Sequence, residues 1–204
     1  MRLLPLISII LAGLIIRRSI KKTDKERSVG LNSFWERERA SYASVSEKID
    51  ESEWIHIPER LPLNIITDDE QIKEYQQTLK NLSNLSIMNL TGLSNTDIRI
   101  KYGAVNFSKL SRADERFTLM SRTLVRLSNK YLELGLKDEA IELLEFGILS
   151  GSDVTENFTL LQGLYTESDS SDLKRLDLVM FAEKLNSFSK RAILRRLKED
   201  GKKD

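Results

Sequence analysis

From residue 67 onward, apolar side chains recur every three or four residues along most of the chain, which is the spacing of one face of an α-helix. The first such stretch covers 67–82, where Thr67 and Glu70 have the spacing of a capping box and predict the helix start. The apolar positions that follow on one face are Ile72, Tyr75, Leu79 and Leu82.

A second and longer helical stretch covers 111–135. Ser111 and Asp114 have cap spacing and predict its start. Gly135 predicts its end, because glycine adopts the left-handed conformation that terminates many helices. The predicted apolar stripe consists of Phe117, Met120, Leu124, Leu127, Tyr131 and Leu134.

Further helices are predicted on both sides of these two. A short helix over 34–49 places Trp35 and Tyr42 seven residues apart on one face. Short connections between the helices favour antiparallel neighbours, so the pattern predicts an all-α fold. The remaining helices are predicted near 137–149, 153–167, 171–185 and 189–199.

Two stretches depart from the helical period. In 52–65, Pro58 and Pro62 exclude a helix interior, and alternating side chains predict an extended segment laid against the domain. Between the two long helical stretches, glycines break the period, and a short extended piece is predicted at Ile98–Ile100.

The chain opens with a different pattern, because Leu3 to Ile16 form a run of fourteen residues without a charge. That run is shorter than the roughly 20 residues of a typical membrane span and overlaps the length of a signal-peptide core. Basic residues follow it directly, and no small-x-small cleavage pattern appears. These flanks favour a retained transmembrane anchor over a cleaved signal peptide or a buried helix of a soluble domain.

Charge orients this predicted anchor. Residues 17–27 carry six Lys or Arg, whereas Arg2 alone precedes the apolar run. Because basic flanks stay on the cytoplasmic side, we expect a single-pass protein of the cell membrane with a cytoplasmic C-terminal domain. Residues 3–20 are expected to contact membrane lipid. The residues expected to hold anionic head groups are Arg17, Arg18, Lys21 and Lys22.

Composition removes most catalytic chemistries. The 204 residues contain no cysteine and one histidine, His56, and their formal net charge is +1. Thiolate metal sites, cysteine nucleophiles and histidine-pair metal sites are therefore excluded, and the basic excess of a nucleic-acid-binding protein is missing. No glycine-rich phosphate loop occurs. The sequence predicts no enzyme activity, no cofactor, no metal and no nucleic-acid partner.

Large, aromatic and small residues follow one another in a fixed order in 124–148. The positions are Leu124, Leu127, Tyr131, Gly135, Ala140, Leu144 and Ile148. This order resembles the tetratricopeptide repeat, a pair of antiparallel helices that recurs every 34 residues. In that motif Tyr131 packs into the pair, Gly135 permits the tight turn, and Ala140 lets the second helix approach closely.

Tyr165 lies 34 residues after Tyr131, so a second and degenerate copy is predicted. The whole layout also resembles a group of single-pass bacterial membrane-anchored proteins, a resemblance that implies no activity. The best repeat is 118–151 and the second is 152–185. The predicted domains are an anchor over 1–20, a basic tether with a short helix over 21–51, and a tetratricopeptide-like domain over 52–204.

Arg122, Arg126 and Asn129 follow i, i+4, i+7 spacing and point away from the apolar stripe. In tetratricopeptide arrays the corresponding helix face lines a concave groove. The resemblance therefore implies a site for an acidic peptide or a C-terminal carboxylate, which arginine can hold with two hydrogen bonds. A merely solvated face is the other interpretation. The basic residues near 189–199 also leave two interpretations, solvation or contact with anionic lipid.

The leading hypothesis is a membrane-anchored cytoplasmic adaptor that binds another protein through a short tetratricopeptide-like domain. The alternative is a structural accessory subunit of a larger membrane complex. A domain that stays soluble without its anchor favours the first hypothesis, and a domain that aggregates favours the second.

Overall fold

The computed structural model describes residues 31–44, 48–167 and 177–200. Within these ranges the protein has eight α-helices and no β-strand, which confirms the predicted all-α fold. None of the described helices is long and apolar enough to cross a bilayer, and the predicted anchor lies outside the described residues. The helices are α1 (31–43), α2 (Glu70–Ser83), α3 (Asn95–Tyr102), α4 (Phe107–Glu133), α5 (Lys137–Leu149), α6 (Thr155–Glu167), α7 (Leu178–Lys184) and α8 (Lys190–Asp200).

The chain divides into two compact units. Of the described residues, the N-terminal unit contains 31–44 and Ser94–Val105, and the main unit contains 48–93, 106–167 and 177–200. Helices α1 and α3 therefore belong to the N-terminal unit, and the other described helices belong to the main unit.

Helix α3 occupies the stretch where the sequence predicts an extended piece at Ile98–Ile100, and that prediction is wrong. Ser94 begins the helix through a capping box. Its hydroxyl accepts a hydrogen bond from the Asp97 N–H at 3.2 Å, and its own N–H donates to the Asp97 carboxylate at 3.1 Å. The box stabilises the first helical turn, because it satisfies two amides that lack helical partners. Gly103 ends the helix at a φ of 85°, which glycine adopts without strain.

Polar side chains join α1 to α3 in the N-terminal unit. The Glu38 carboxylate accepts a hydrogen bond from the Thr96 hydroxyl, and the Ser44 hydroxyl donates to the Arg99 carbonyl at 2.6 Å. The sequence predicts this first helix over 34–49, whereas the helix covers 31–43 in the structure. The helix therefore begins three residues earlier than predicted and includes Leu31.

In the main unit, the observed N-cap of α2 lies two residues after the predicted one. Asp69 is the N-cap, and its carboxylate accepts hydrogen bonds from the N–H groups of Gln71 and Ile72 at 2.8 and 3.3 Å. The Thr67 hydroxyl accepts instead from the Asp69 N–H at 3.1 Å, in the turn that precedes the helix. The expected reciprocal box between Thr67 and Glu70 is therefore replaced by a single aspartate cap.

Helix α4 begins at Phe107, before the start predicted at Ser111. Asp114, the expected cap partner of Ser111, lies inside the helix, and its carboxylate accepts a hydrogen bond from the Leu90 N–H at 2.9 Å. It therefore satisfies the amide of a loop rather than the end of its own helix. The rest of the predicted stripe is buried, whereas Leu134 at its end is 53% exposed.

The predicted extended segment 52–65 packs against the helices, but it is extended only in part. A 3-10 helix covers Glu51–Glu53, and the Leu61 N–H donates to the Pro58 carbonyl at 3.2 Å in a turn. The Ile55 N–H donates to the Ile87 carbonyl at 2.9 Å in an isolated antiparallel bridge. Ile57, Leu61 and Leu63 are buried in a core cluster with side chains of α2, α4 and α5.

Tyr131 links this extended segment to two helices. Its ring is fully buried, and its hydroxyl donates to the Pro62 carbonyl at 2.5 Å. The Gln76 side-chain amide donates to the Tyr131 hydroxyl at 2.9 Å and to the Ile65 carbonyl at 3.1 Å. Two carbonyls of the extended segment are thereby satisfied inside the protein, which fixes the segment against α2 and α4.

Helices α4 and α5 form an antiparallel pair around a tight turn. Gly135 adopts a φ of 78°, which confirms the predicted left-handed C-cap. The Leu136 N–H donates to the Tyr131 carbonyl at 2.9 Å, and the Gly135 N–H donates to the Leu132 carbonyl at 3.0 Å, so the turn is a Schellman motif. Ala140 follows in α5 and is fully buried.

A second core cluster joins α5, α6, α7 and α8, with Phe158, Leu161, Ala182 and Ile193 fully buried. Helix α8 packs against both α6 and α7. The helices predicted near 137–149, 153–167 and 189–199 are confirmed. Helix α7 covers part of the predicted 171–185 helix, whose residues 171–176 lie outside the described residues.

Candidate functional site

Two open cavities adjoin on the surface of the main unit, between α4, α6 and α8. Their volumes are about 320 and about 380 Å³. Thr155, the first residue of α6, lines both cavities, and we call their combined surface the groove. The first cavity is lined by Ser121, Arg122, Asp153, Thr155 and Ser189 among others, and the second by Thr155, Glu156, Thr159, Ala192, Arg195 and Arg196.

Arg122 is the predicted site residue that the structure places in the groove. Its side chain is exposed and lines the first cavity beside Ser121 and Asp153. Among the described residues, its guanidinium has no hydrogen-bond or ion-pair partner. Its five N–H donors therefore remain available to a ligand.

The other two predicted residues have different environments. Arg126 is exposed one turn further along α4 and lines neither cavity. Asn129 is half-buried, and its side-chain amide donates to the Val125 carbonyl at 3.2 Å and to the Glu156 carboxylate at 2.8 Å. Asn129 therefore fastens α4 to α6, and both of its amide protons are used inside the protein.

Arg195 and Arg196 line the second cavity, although sequence reasoning did not assign them to a groove. Both are exposed, and Arg195 makes one long contact of 3.9 Å with the Glu199 carboxylate. The sequence carries no signal that assigns them to the groove, because only the packing of α8 on α6 brings them to this surface.

Two further features of the groove favour a ligand that accepts hydrogen bonds. Helix α6 begins at Thr155, so the positive end of its dipole lies at the boundary of the two cavities. Ser121 is 3% exposed, and its hydroxyl has no hydrogen-bond partner in the described part of the protein. A buried hydroxyl without a partner is uncommon, because desolvation then costs free energy that no bond returns.

The charges of the groove are mixed, with a positive excess. Arg122, Arg195 and Arg196 carry three positive charges, whereas Asp153 and Glu156 carry two negative charges. The Glu156 carboxylate is also held by the Asn129 amide, which leaves it less able to repel an anion. Together with the start of α6, this arrangement can bind carboxylates spaced along an extended segment.

The described residues give no support to a metal centre or a histidine-based site. Over residues 31–44, 48–167 and 177–200, no group of three or more His, Cys, Asp or Glu is placed to hold a metal ion. His56 is exposed in the extended segment and lines neither cavity of the groove.

Comparison of the chain with protein-family models, with curated proteins and with solved structures gave no match. The fold and the groove therefore define the class of this protein no further than an all-α protein with a mixed-charge surface groove.

Proposed function

We propose that this protein is a membrane-anchored adaptor whose groove binds an acidic segment of another protein. The observation that carries the proposal is the convergence of Arg122, Arg195 and Arg196 with the start of α6. Planar guanidinium groups bind carboxylates with two parallel hydrogen bonds, and a helix N-terminus adds donors of the same sign.

The local geometry of α4 and α5 supports the tetratricopeptide-like interpretation. Tyr131 is buried, Gly135 makes the left-handed turn, and Ala140 is buried in the contact between the two helices. These are the roles that the motif gives to its tyrosine, glycine and alanine. In the second repeat, Tyr165 and Ala182 belong to the core cluster of α6, α7 and α8. On this interpretation α4, α6 and α8 present one continuous face, and the groove lies on it.

The membrane part of the proposal comes from the sequence. An apolar run over 3–16 with Arg17, Arg18, Lys21 and Lys22 directly after it favours a single-pass anchor with the helical domain in the cytoplasm. Tethering raises the concentration of the domain near other membrane proteins. A groove of modest affinity can therefore be occupied, because the binding partner is already close.

Charge reversal tests the groove. Arg122→Glu combined with Arg195→Glu should remove the partner that crosslinks to the full chain in native membranes. Both arginines are exposed, one on α4 and one on α8, so helicity and thermal stability should change little. Arg196→Glu, in the second cavity, should weaken the same crosslink.

Arg112→Glu is the matched control, since Arg112 is also an exposed arginine on α4 and lines neither cavity. Retention of the crosslinked partner at the wild-type yield in the double variant would contradict the groove proposal. Equal loss in the Arg112 control would show that overall charge, not the groove, governs the association.

The anchor has its own test. The full chain should remain in the membrane fraction after washing with high salt and with carbonate, and its mature N-terminus should precede Leu3. A mature chain that begins after Ser19, or a chain that is released by salt, would refute the anchor while leaving the groove experiment interpretable.

A further inference from the structure

The first turns of α1 carry large apolar side chains that stay in solvent. Leu31, Phe34 and Trp35 are 58%, 54% and 57% exposed, and none of them belongs to either core cluster. The spacing i, i+3, i+4 puts them on one face of the helix. The rings of Phe34 and Trp35 pack edge to face, with centroids 5.3 Å apart. A contiguous apolar surface is therefore present at the start of the described chain.

The charged side chains of α1 cancel one another, so the helix is not repelled by an anionic membrane surface. The helix contains Glu36, Arg37, Glu38 and Arg39, whose charges sum to zero. Glu38 is engaged with α3, where it accepts from the Thr96 hydroxyl and lies 3.7 Å from the Arg99 guanidinium. Arg37 is engaged with α3 as well, because its guanidinium pairs with the Asp97 carboxylate, so one charge of each sign is used within the unit and the apolar face is left uncovered.

The sequence before α1 indicates what can cover this face. Lys22, at the end of the basic cluster, precedes Leu31 by nine residues. Even a fully extended chain of that length spans no more than roughly 30 Å. If the anchor crosses the membrane, Leu31, Phe34 and Trp35 lie within reach of the head groups. Tryptophan settles at that level, because its ring is apolar and its indole N–H is polar. Leucine and phenylalanine commonly complete the apolar face of helices that lie in the interface.

We propose that the face formed by Leu31, Phe34 and Trp35 inserts into the head-group region of the cytoplasmic leaflet. This inference rests on the membrane anchoring in the proposed function and adds a second, interfacial contact to it. Amphipathic helices bind in this way with their apolar face at the boundary between head groups and acyl chains. Helix α1 would then lie on the membrane and hold α3 beside it.

Tryptophan fluorescence tests the proposal, because the chain contains two tryptophans, Trp35 and Trp54. The full chain is reconstituted into vesicles of phosphatidylcholine and phosphatidylglycerol. Emission is measured for the wild type and for Trp35→Phe, and the difference is the signal of Trp35. Since Trp35 is 57% exposed, its replacement by phenylalanine should leave the fold intact.

The expected result is that lipids brominated near the head groups quench the Trp35 signal strongly, that lipids brominated near the acyl-chain ends quench it weakly, and that aqueous acrylamide loses most of its effect. Leu31→Ser with Phe34→Ser should reduce the bromolipid quenching and restore quenching by acrylamide. The signal that remains in Trp35→Phe comes from Trp54 and serves as the internal control.

Two outcomes would overturn the inference in different ways. A chain that floats with the vesicles but shows a Trp35 signal quenched by acrylamide and indifferent to bromolipid has an anchor and a free α1. In that case this inference is wrong and the proposed anchor stands. A chain that does not float with the vesicles lacks the anchor, and both proposals for the membrane are then wrong, whereas the groove is untouched.

Discussion

Replacement of Tyr131 by phenylalanine should destabilise the protein far more than the loss of one surface hydroxyl. The ring is fully buried, and phenylalanine fills the same space, so apolar packing is retained. The change removes only the hydroxyl, which donates to the Pro62 carbonyl at 2.5 Å and accepts from the Gln76 amide at 2.9 Å.

The magnitude follows from what each former partner can do afterwards. The Gln76 amide keeps its bond to the Ile65 carbonyl at 3.1 Å, so its loss is partial. The Pro62 carbonyl has no such second bond in the described structure and must be left unpaired or hydrated by a shift of the segment. An unpaired buried polar group costs about 1–3 kcal/mol and a typical net hydrogen bond about 1 kcal/mol, so the expected loss is about 2–3 kcal/mol.

Urea unfolding of the full chain in mild detergent, followed by far-ultraviolet circular dichroism, measures this loss as a lower midpoint at an unchanged slope. Tyr75→Phe is the control, because Tyr75 is a half-buried tyrosine of α2. It should cost less than about 0.5 kcal/mol, the usual limit for a change away from buried networks. Equal and small losses in both variants would refute the link between the extended segment and the helix pair.

The same tyrosine should make the stability of the wild type depend on alkaline pH. Burial of the ring raises the pKa of Tyr131 above its ordinary value of 10.0. The folded state therefore keeps its proton where the unfolded chain releases it. The stabilisation is fully present below about pH 10 and is lost as pH rises from there through the raised pKa. Tyr131→Phe lacks this term, so the stability difference between wild type and variant should shrink in alkaline buffer.

Three further changes test particular contacts by the same unfolding assay. Ala140→Arg should cost at least about 3 kcal/mol, because it buries an unpaired charge in the contact of α4 and α5, and an unchanged midpoint would show that the repeat register is wrong. Gly147→Ala should cost about 1–3 kcal/mol, because its methyl group would lie 2.5 Å from the side-chain amide nitrogen of the buried Asn157. Asn157→Ala should relieve that strain in the double variant. Losses that simply add in the double variant would argue against the clash. Ser94→Ala should cost about 1 kcal/mol by removing the cap of α3. Hydrogen bonds from the side chain and backbone of Ser94 lower the pKa of Asp97, so this part of the stability is present above about pH 4 and is lost as pH falls through the lowered pKa. The difference between wild type and Ser94→Ala should therefore shrink in acid, and a constant difference would contradict the capping box.

The sequence predicts the helices well where the apolar period is long, and less well where a tertiary contact decides. Gly135 ends α4 as expected, because a left-handed glycine after a helix is a local signal. Asp114 misleads for the opposite reason: its spacing from Ser111 looks like a cap, but its carboxylate serves the distant Leu90 amide. Ser94 and Asp97 have capping-box spacing, which is a local signal for the start of α3. The prediction of an extended piece at Ile98–Ile100 gives more weight to the two isoleucines, which favour strands, and is wrong for that reason.

The hydrogen bond between Tyr131 and the extended segment could not be predicted from the sequence pattern. Its repeat-like position predicts burial between two helices, and the burial is observed. The Pro62 carbonyl that receives its hydroxyl is 69 residues away and belongs to a segment without periodicity. Nothing in local spacing connects the two, so the bond could be found only from the fold.

The candidate site shows the same division. Arg122 could be predicted because the helical period fixes the face on which it lies, and the cavity is found on that face. The environment of Asn129 could not be predicted, because its amide is taken by Glu156 from another helix. The sequence leaves Arg195 and Arg196 as lipid contacts or solvated charges, because only the packing of α8 on α6 brings them to the groove.

The most direct measurement of the central claim is photocrosslinking from the position that both cavities share. A photoreactive amino acid replaces Thr155 in the full chain, and the crosslinked peptide is identified after irradiation of native membranes. The control carries the same residue at Glu142, which is exposed on α5 and lines neither cavity. We expect one acidic segment attached at position 155, absent from the control and lost in the variant that combines Arg122→Glu with Arg195→Glu. Attachment of the same protein from both positions, or of a segment without acidic residues, would contradict the claim.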